Sequence, residues 1–368
     1  MGMRGIMTTR SVICAGLCLS LFFHADGPFQ PAAQENNSRI VVNVVLVQLN
    51  VAVTDRKGNY VTGLRPDDFA ITEDKIPETI SSFEEGGEAM SGATSATRSD
   101  QQSAASGGNG IPDVAGENAP DGRAQPLASH MAGANVFILF DTSDYMYRGF
   151  VYAQDAIAGF VRSMEDTDKI AFYSYSRDLS RSVPLTANRF AVLHGVRSTV
   201  AGDQAALYNC LLLTVRDAAP LRGRKAIVVF SNGPDDASSI PPEDVEELAQ
   251  STGTIIYIIS TRAAQDDPLS TTVFERMSKA TGGKAYFARN WQDEKLAFSS
   301  IRDDLAHLYT IAYYPKPNKN QGWRTISVKL VGKRLAKDRV RTRDGYRLLQ
   351  AEASARPRSS QEPGPDPN

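Results

Sequence analysis

Asn135-Val-Phe-Ile-Leu-Phe-Asp141-Thr-Ser143-Asp-Tyr145 decides the fold. From Asn135 to Phe140 the residues are mostly apolar with no polar alternation. A parallel strand buried on both faces reads this way. Asp141 closes the run and Ser143 follows two residues later. A strand ending in Asp-x-Ser sets small oxygen ligands at its carboxyl end, which is where open α/β sheets bind.

Outward from this strand, the signals alternate between 134 and about 308. Strands are expected at 134–141, 169–176, 225–231, 254–260 and 284–288. Helices lie between them. Ala153, Ile157, Phe160, Val161 and Met164 form one apolar face; Leu207, Leu211 and Val215 form another; Phe298, Ile301, Leu305 and Leu308 form a third. Strand–helix alternation of this kind implies a mostly parallel sheet with helices on both faces.

Both flanks read as β structure. In 39–86, Val45, Val47, Leu49, Val51 and Val53 alternate with other residues, the period of a strand. A turn at Asp55-Arg-Lys-Gly58 and short strands at Tyr60–Leu64 and Phe69–Glu73 follow. After Leu308, strands are expected at 309–314, 323–330, 340–343 and 345–346. Neither set has enough strands to stand alone. The two chain ends are therefore expected to pair into one β-sandwich with the α/β unit inserted between them. The segment 87–132 is rich in Gly, Ser, Ala, Gln and Asn and reads as a flexible linker. The tail 351–368 reads as disordered, and 309–350 as the C-terminal β segment.

Residues 1–30 read as a secretory signal, with Arg4 and Arg10 ahead of an apolar run from Ser11 to Phe23. A secreted or periplasmic protein is expected, touching a membrane only through this segment if it stays uncleaved. Cleavage removes Cys14 and Cys18 and leaves Cys210 alone, so no disulfide framework is expected. The 40 Lys and Arg nearly balance the 42 Asp and Glu, which gives no electrostatic reason for a nucleic-acid partner.

The strand and its Asp141-x-Ser143 ending resemble the first strand and metal-ion-dependent adhesion motif, Asp-x-Ser-x-Ser, of von Willebrand factor type A domains. Tyr145 stands at the last serine of that motif. Ala206-Leu-Tyr-Asn209 resembles the segment carrying the domain's threonine ligand, and Ala205 stands at the threonine. Ile227-Val-Val-Phe-Ser-Asn232 resembles the fourth strand, with Asn232 in place of its aspartate. The flanks Val51–Gly58, Gly63–Phe69 with Glu73-Asp74, Tyr309–Pro315 and Arg343-Asp-Gly-Tyr346 resemble the acidobacterial-type "VWFA-related" secreted proteins. The resemblance covers roughly 40–347. It implies a Rossmannoid von Willebrand factor A-like domain over 133–308 and a non-catalytic binding or adhesion role.

A divalent cation in this motif wants hard oxygen ligands. The resemblance maps the ligand positions onto Asp141, Ser143 and Asn232, with Asp144, Asp203 and Asp235 nearby as replacements. The losses at Tyr145, Ala205 and Asn232 imply a degenerate site with no firmly held cofactor, at most weak Mg²⁺ or Ca²⁺. The loops still offer Tyr145, Met146, Tyr147, Asp203 and Asp235 as contacts for a protein partner, aromatic anchors being enriched in interfaces. Lys225, at the opposite end of the sheet, is expected to lie outside that contact. His194, His307 and Cys210 have no partners at catalytic spacing. A monomer is expected. A metal-dependent hydrolase and an envelope scaffold are the competing classes; the first needs convergent acid, base or metal ligands.

Overall fold

In the computed structural model, residues 46–86, 88–89, 133–261 and 267–348 are described. The expected secretory signal at 1–30, the expected tail at 351–368 and all of the expected linker except 88–89 lie outside them.

The N-terminal strands are β1 (Val47–Thr54), β2 (Phe69–Glu73), β3 (Ile76–Glu78), β4 (Ile80–Glu85) and β5 (Glu88–Ala89). The α/β unit follows with β6 (Ala134–Asp141), α1 (Phe150–Ser163), β7 (Lys169–Tyr175), β8 (Leu179–Thr186), α2 (Arg189–Arg197), α3 (Leu207–Ala218) and β9 (Arg224–Ser231). It continues with α4 (Pro242–Thr252), β10 (Thr254–Ser260), α5 (Pro268–Ala280), β11 (Ala285–Phe287) and α6 (Trp291–Ala306). The chain returns to β12 (Tyr309–Tyr313), β13 (Trp323–Leu330), β14 (Arg339–Arg341) and β15 (Gly345–Arg347).

The central sheet runs β11-β10-β9-β6-β7-β8. Every pairing is parallel except β7 with β8. The order reverses between β6 and β9, so the carboxyl ends of these two strands flank the switch-point crevice. Every residue of β9 is buried, as both-face coverage requires. Val136, Ile138 and Phe140 pack under α1, α2 and α6. Phe137 and Leu139 pack under α3, α4 and α5. Strand alternation then turns Asp141 toward the α3 side.

The β8 edge strand is absent from the sequence reading. Its stretch Leu-Ser-Arg-Ser-Val-Pro-Leu-Thr is polar and holds Pro184, tolerated because β8 is an edge. The expected strand at Tyr60–Leu64 reduces to one bridge, Thr54 to Tyr60, with Gly63 at φ +72° breaking the extension.

The chain ends do pair. One antiparallel sheet runs β14-β1-β12-β4-β5, and a second runs β15-β13-β2-β3. Together they enclose Leu49, Val51, Phe69, Phe83, Ile311 and Tyr346. β5 carries the pairing to Ala89, past the expected start of the linker. On the other side of β1, Ala52 joins the α/β core beneath α6.

Polar clusters fix the sandwich to the amino-terminal end of the central sheet. Fully buried Asp304 of α6 accepts from Tyr60 (2.6 Å), Tyr257 (2.6 Å) and both Arg341 and Lys284. Arg341 also donates to the Gly282 carbonyl after α5, and Arg343 to the Gln250 carbonyl in α4. Gln250 in turn donates to Asp344 at 2.7 Å. Gly345 lies flat on Trp323, where a Cβ would come within 2.5 Å of the ring. Inside the sandwich, buried Glu73 accepts from Tyr313, Tyr346 and Arg324.

Candidate functional site

A 3-10 turn, Asp144–Gly149, leaves the carboxyl end of β6 directly. Its three-residue repeat points Ser143 and Met146 inward and Asp144 and Tyr147 outward. Met146 is 0% exposed and packs with Phe140 and Ala153, which corrects its expected role as a partner contact. Tyr147, by contrast, is 77% exposed and Tyr145 is 42% exposed.

Asp141 is fully buried. Its Oδ1 accepts from the Ser143 amide at 2.9 Å and its Oδ2 from the Ser231 hydroxyl at 2.8 Å. Ser231 in turn accepts from the Tyr175 hydroxyl at 3.0 Å. Burial pushes the Asp141 carboxyl up, against the opposing pull of the hydrogen bonds from Ser143 and Ser231. The Ser143 hydroxyl is buried with no hydrogen-bond partner.

Backbone bonds stitch the neighbouring loops together. The Gly202 amide donates to the Thr142 carbonyl at 2.7 Å, and the Asp144 amide to the Asp203 carbonyl at 2.8 Å. Gly202 is needed there, since a Cβ would come within 2.4 Å of the Ser176 hydroxyl. α3 begins after Ala206, which has no side chain to cap it. Asp235, on the loop after β9, accepts from the Tyr208 amide at 2.9 Å, and Ser238 accepts from the Asn209 amide. Asp236 accepts from the Ala205 amide at 2.9 Å and from the Tyr145 hydroxyl at 3.4 Å. The sequence reading names Asp235 but not Asp236; the pair are adjacent and only the fold separates their tasks.

Asn232 uses both ends of its amide: the nitrogen donates to the Tyr145 carbonyl and the oxygen accepts from Thr261. Around Asp141, then, the converging side-chain oxygens are its own carboxylate and the Ser143 and Ser231 hydroxyls, and Ser231 already donates to that carboxylate. Tyr145 turns outward, Ala205 has no donor, and Asp235 and Asp236 hold backbone amides of the α3 entry. A hard divalent ion wants about six oxygens, and this donor set does not fit one. Among the described residues no three His, Cys, Asp or Glu side chains lie together as a metal site.

The chemistry elsewhere is equally committed. His307 stacks on Tyr60 at 4.9 Å and its Nδ1 meets the Asp303 carbonyl. Burial pushes the Cys210 thiol up to about 12, far from a reactive thiolate. Lys225 is buried, donates to the Ala219 carbonyl, and is pushed down to about 8 by burial. It is a core residue, so a surface control at that end of the sheet falls to exposed Lys169. A cavity of about 240 Å³ opens at that same end beside Arg224, whose guanidinium is occupied by the Leu305 and Gly86 carbonyls.

Exposed apolar surface is concentrated at the carboxyl end. The described residues expose twelve large hydrophobic side chains. Seven of them, Tyr145, Tyr147, Val151, Tyr152, Val200, Leu269 and Trp291, lie in loops at this end or in the first turn of helices that start there. Gln154 of α1 donates to the Val196 carbonyl of α2 at 2.8 Å, which holds the end of α2 against α1 just ahead of the loop that carries Val200. The sequence reading misses Val151, Tyr152 and Val200; a lone apolar residue among polar loop neighbours, as at Val200, is the signal available.

Residues 136–234 match the family model described as the von Willebrand factor type A domain. No curated protein matches the chain. The chain is similar to the conserved hypothetical protein BatB from Bacteroides thetaiotaomicron, at 16% identity over 47% of this chain and 98% of that one, with a TM-score of 0.39. It is similar to the vWF domain of the type V pili tip protein Mfa5 from Porphyromonas gingivalis, at 11% identity, 46% and 94% coverage and a TM-score of 0.41. A von Willebrand factor type A structure from Catenulispora acidiphila is 11% identical over 60% of this chain and 67% of its own, with a TM-score of 0.41.

Proposed function

We propose that this von Willebrand factor type A domain protein is a non-catalytic binding module of the cell envelope or exterior. It docks a protein partner on the loops at the carboxyl end of the central sheet, and it does so with a degenerate metal site. The observation that carries this reading is the gathering of seven exposed large hydrophobic residues at that end, five of them (Tyr145, Tyr147, Val151, Tyr152 and Val200) on the loop after β6, the first turn of α1 and the loop joining α2 to α3. Isolated surface apolar residues are ordinary, whereas a concentration rimmed by polar groups marks an interaction surface. The rim is supplied by Asp144, Asp203 and Asp236. The donor set around Asp141 supports a contact made without a tightly held Mg²⁺ or Ca²⁺. The N-terminal apolar run from Ser11 to Phe23 supports export.

The test is affinity capture from the envelope fraction with the exported protein, read by mass spectrometry. Tyr147→Ala is expected to lose the captured partner while melting as the parent does. Truncating a central interface aromatic commonly costs about 2 kcal/mol or more. Lys169→Ala is the control. If Tyr147→Ala and Tyr152→Ala both capture normally, the docking face lies elsewhere.

A further inference from the structure

We propose that the partner segment seated on this face is basic, presenting lysine or arginine side chains to an aspartate-ringed aromatic surface. This deepens the docking reading and rests on it. Four described loops at the carboxyl end, 142–149, 176–178, 198–206 and 232–241, contain five aspartates (Asp144, Asp178, Asp203, Asp235, Asp236) and two arginines (Arg148, Arg177), a net charge of −3, while Arg289 of the further loop 288–290 is paired with Asp293. These loops therefore carry a local excess of acid where exposed apolar surface is concentrated. Among the described residues none of these five aspartates has an ion-pair partner.

Two further observations point the same way. Buried Asp141 lies directly beneath, and the degenerate metal site proposed above leaves the rim without a tightly held inorganic counterion. The Ser143 hydroxyl, 1% exposed, stands beside it without a partner. Tyr145 and Tyr147 place ring faces within that negative field, and an ammonium or guanidinium over a ring is drawn by both. An acidic segment would meet like charge at every side, which costs affinity and slows encounter.

The experiment uses the full chain and three synthetic peptides of one length with matched leucine and tyrosine content, bearing lysine, serine or glutamate at the remaining positions. Binding is read by fluorescence anisotropy at low and high salt. The lysine peptide is expected to bind tightest and to weaken as salt screens the face. The double variant Asp144→Asn with Asp203→Asn is expected to weaken it about tenfold, at roughly threefold for each unit charge about 6 Å away in water. Both asparagines keep the bond between these loops, which uses backbone atoms only. Glutamate and lysine peptides binding alike, or a lysine peptide indifferent to both salt and the double variant, overturns the inference. Serine and lysine peptides binding alike, with both lost in Tyr147→Ala, leaves the docking face standing and removes its charge preference. If no peptide responds to Tyr147→Ala, the inference fails together with the docking reading. Tighter binding of the glutamate peptide on adding Mg²⁺ also overturns it, since the cation site is then intact.

Discussion

Glu294 in the first turn of α6 sets a pH dependence that one substitution should remove. The residue is 8% exposed and its Oε2 has no hydrogen-bond partner. Burial alone pushes its carboxyl up from 4.5 to about 7. At about 1.4 kcal/mol for each pH unit, that displacement corresponds to about 3 kcal/mol. The native state holds this proton more tightly than the unfolded chain does. The penalty is therefore absent below 4.5, grows as pH rises through the window, and is complete above about 7. Glu294→Gln keeps the shape and removes the charge. Its new amide adds a constant cost of about 1–3 kcal/mol if it finds no partner, so the decisive quantity is a difference of differences. From pH 4.5 to above 7 the parent should lose about 3 kcal/mol relative to the variant. At roughly 2–4 °C per kcal/mol for a unit of this size, the melting curves diverge by about 6–12 °C. Urea titrations at acidic, neutral and mildly alkaline pH measure it. Parallel pH profiles for parent and variant would refute the reasoning, because burial would then not be charging Glu294 a proton-linked cost.

Two further outcomes test the seam and the metal position. Asp304→Asn should destabilise the protein by about 3–5 kcal/mol, since it leaves the Arg341 and Lys284 cations inside the seam without their buried partner; a loss below about 1 kcal/mol in a chemical melt would show the seam does not depend on this charge. Millimolar Mg²⁺ or Ca²⁺ should leave the melting temperature nearly unchanged, where saturation at a hundredfold excess would add about 2.7 kcal/mol; a rise of several degrees that Asp141→Ala abolishes would show that the site is rebuilt.

What the sequence carried depended on which physical signal marked each element. β6, β9 and β10 are legible because strands buried on both faces must be largely apolar, and each holds a continuous apolar run between polar ends. The pairing of the chain ends was legible from need, since neither end has strands enough to close a core. β8 was not, because an edge strand with one solvent face tolerates serine, arginine and proline and loses its apolar pattern. Asp141 and Ser143 were found from their place after the strand. Met146 was misplaced because two exposed tyrosines flank it, and only the 3-10 repeat turns it inward. Asp235 and Asp236 show the same limit: neighbours in sequence, one closes its own loop and caps α3 while the other reaches back to Tyr145.

The motif at the end of the described chain fixes which end of the central sheet the sandwich occupies. Arg341 and Arg343 reach the carbonyls of Gly282 and Gln250, and Asp344 takes the Gln250 amide. These acceptors lie at the carboxyl ends of α4 and α5, or just beyond, where helix dipoles favour cations. Helices covering a parallel sheet run opposite to its strands, so their carboxyl ends sit beside the strands' amino ends. The sandwich is therefore fastened at the amino end of the sheet by Arg341, Arg343 and the Asp304 cluster, while Arg224 adds the Gly86 carbonyl from the first sheet. A polar anchor of this kind requires each partner to be present, so the two β ends and the α/β unit hold one another in register. The described sandwich contacts thus fall at the end opposite Asp141. The loops around Tyr145, Tyr147 and Val200, at the Asp141 end, leave their apolar surface exposed.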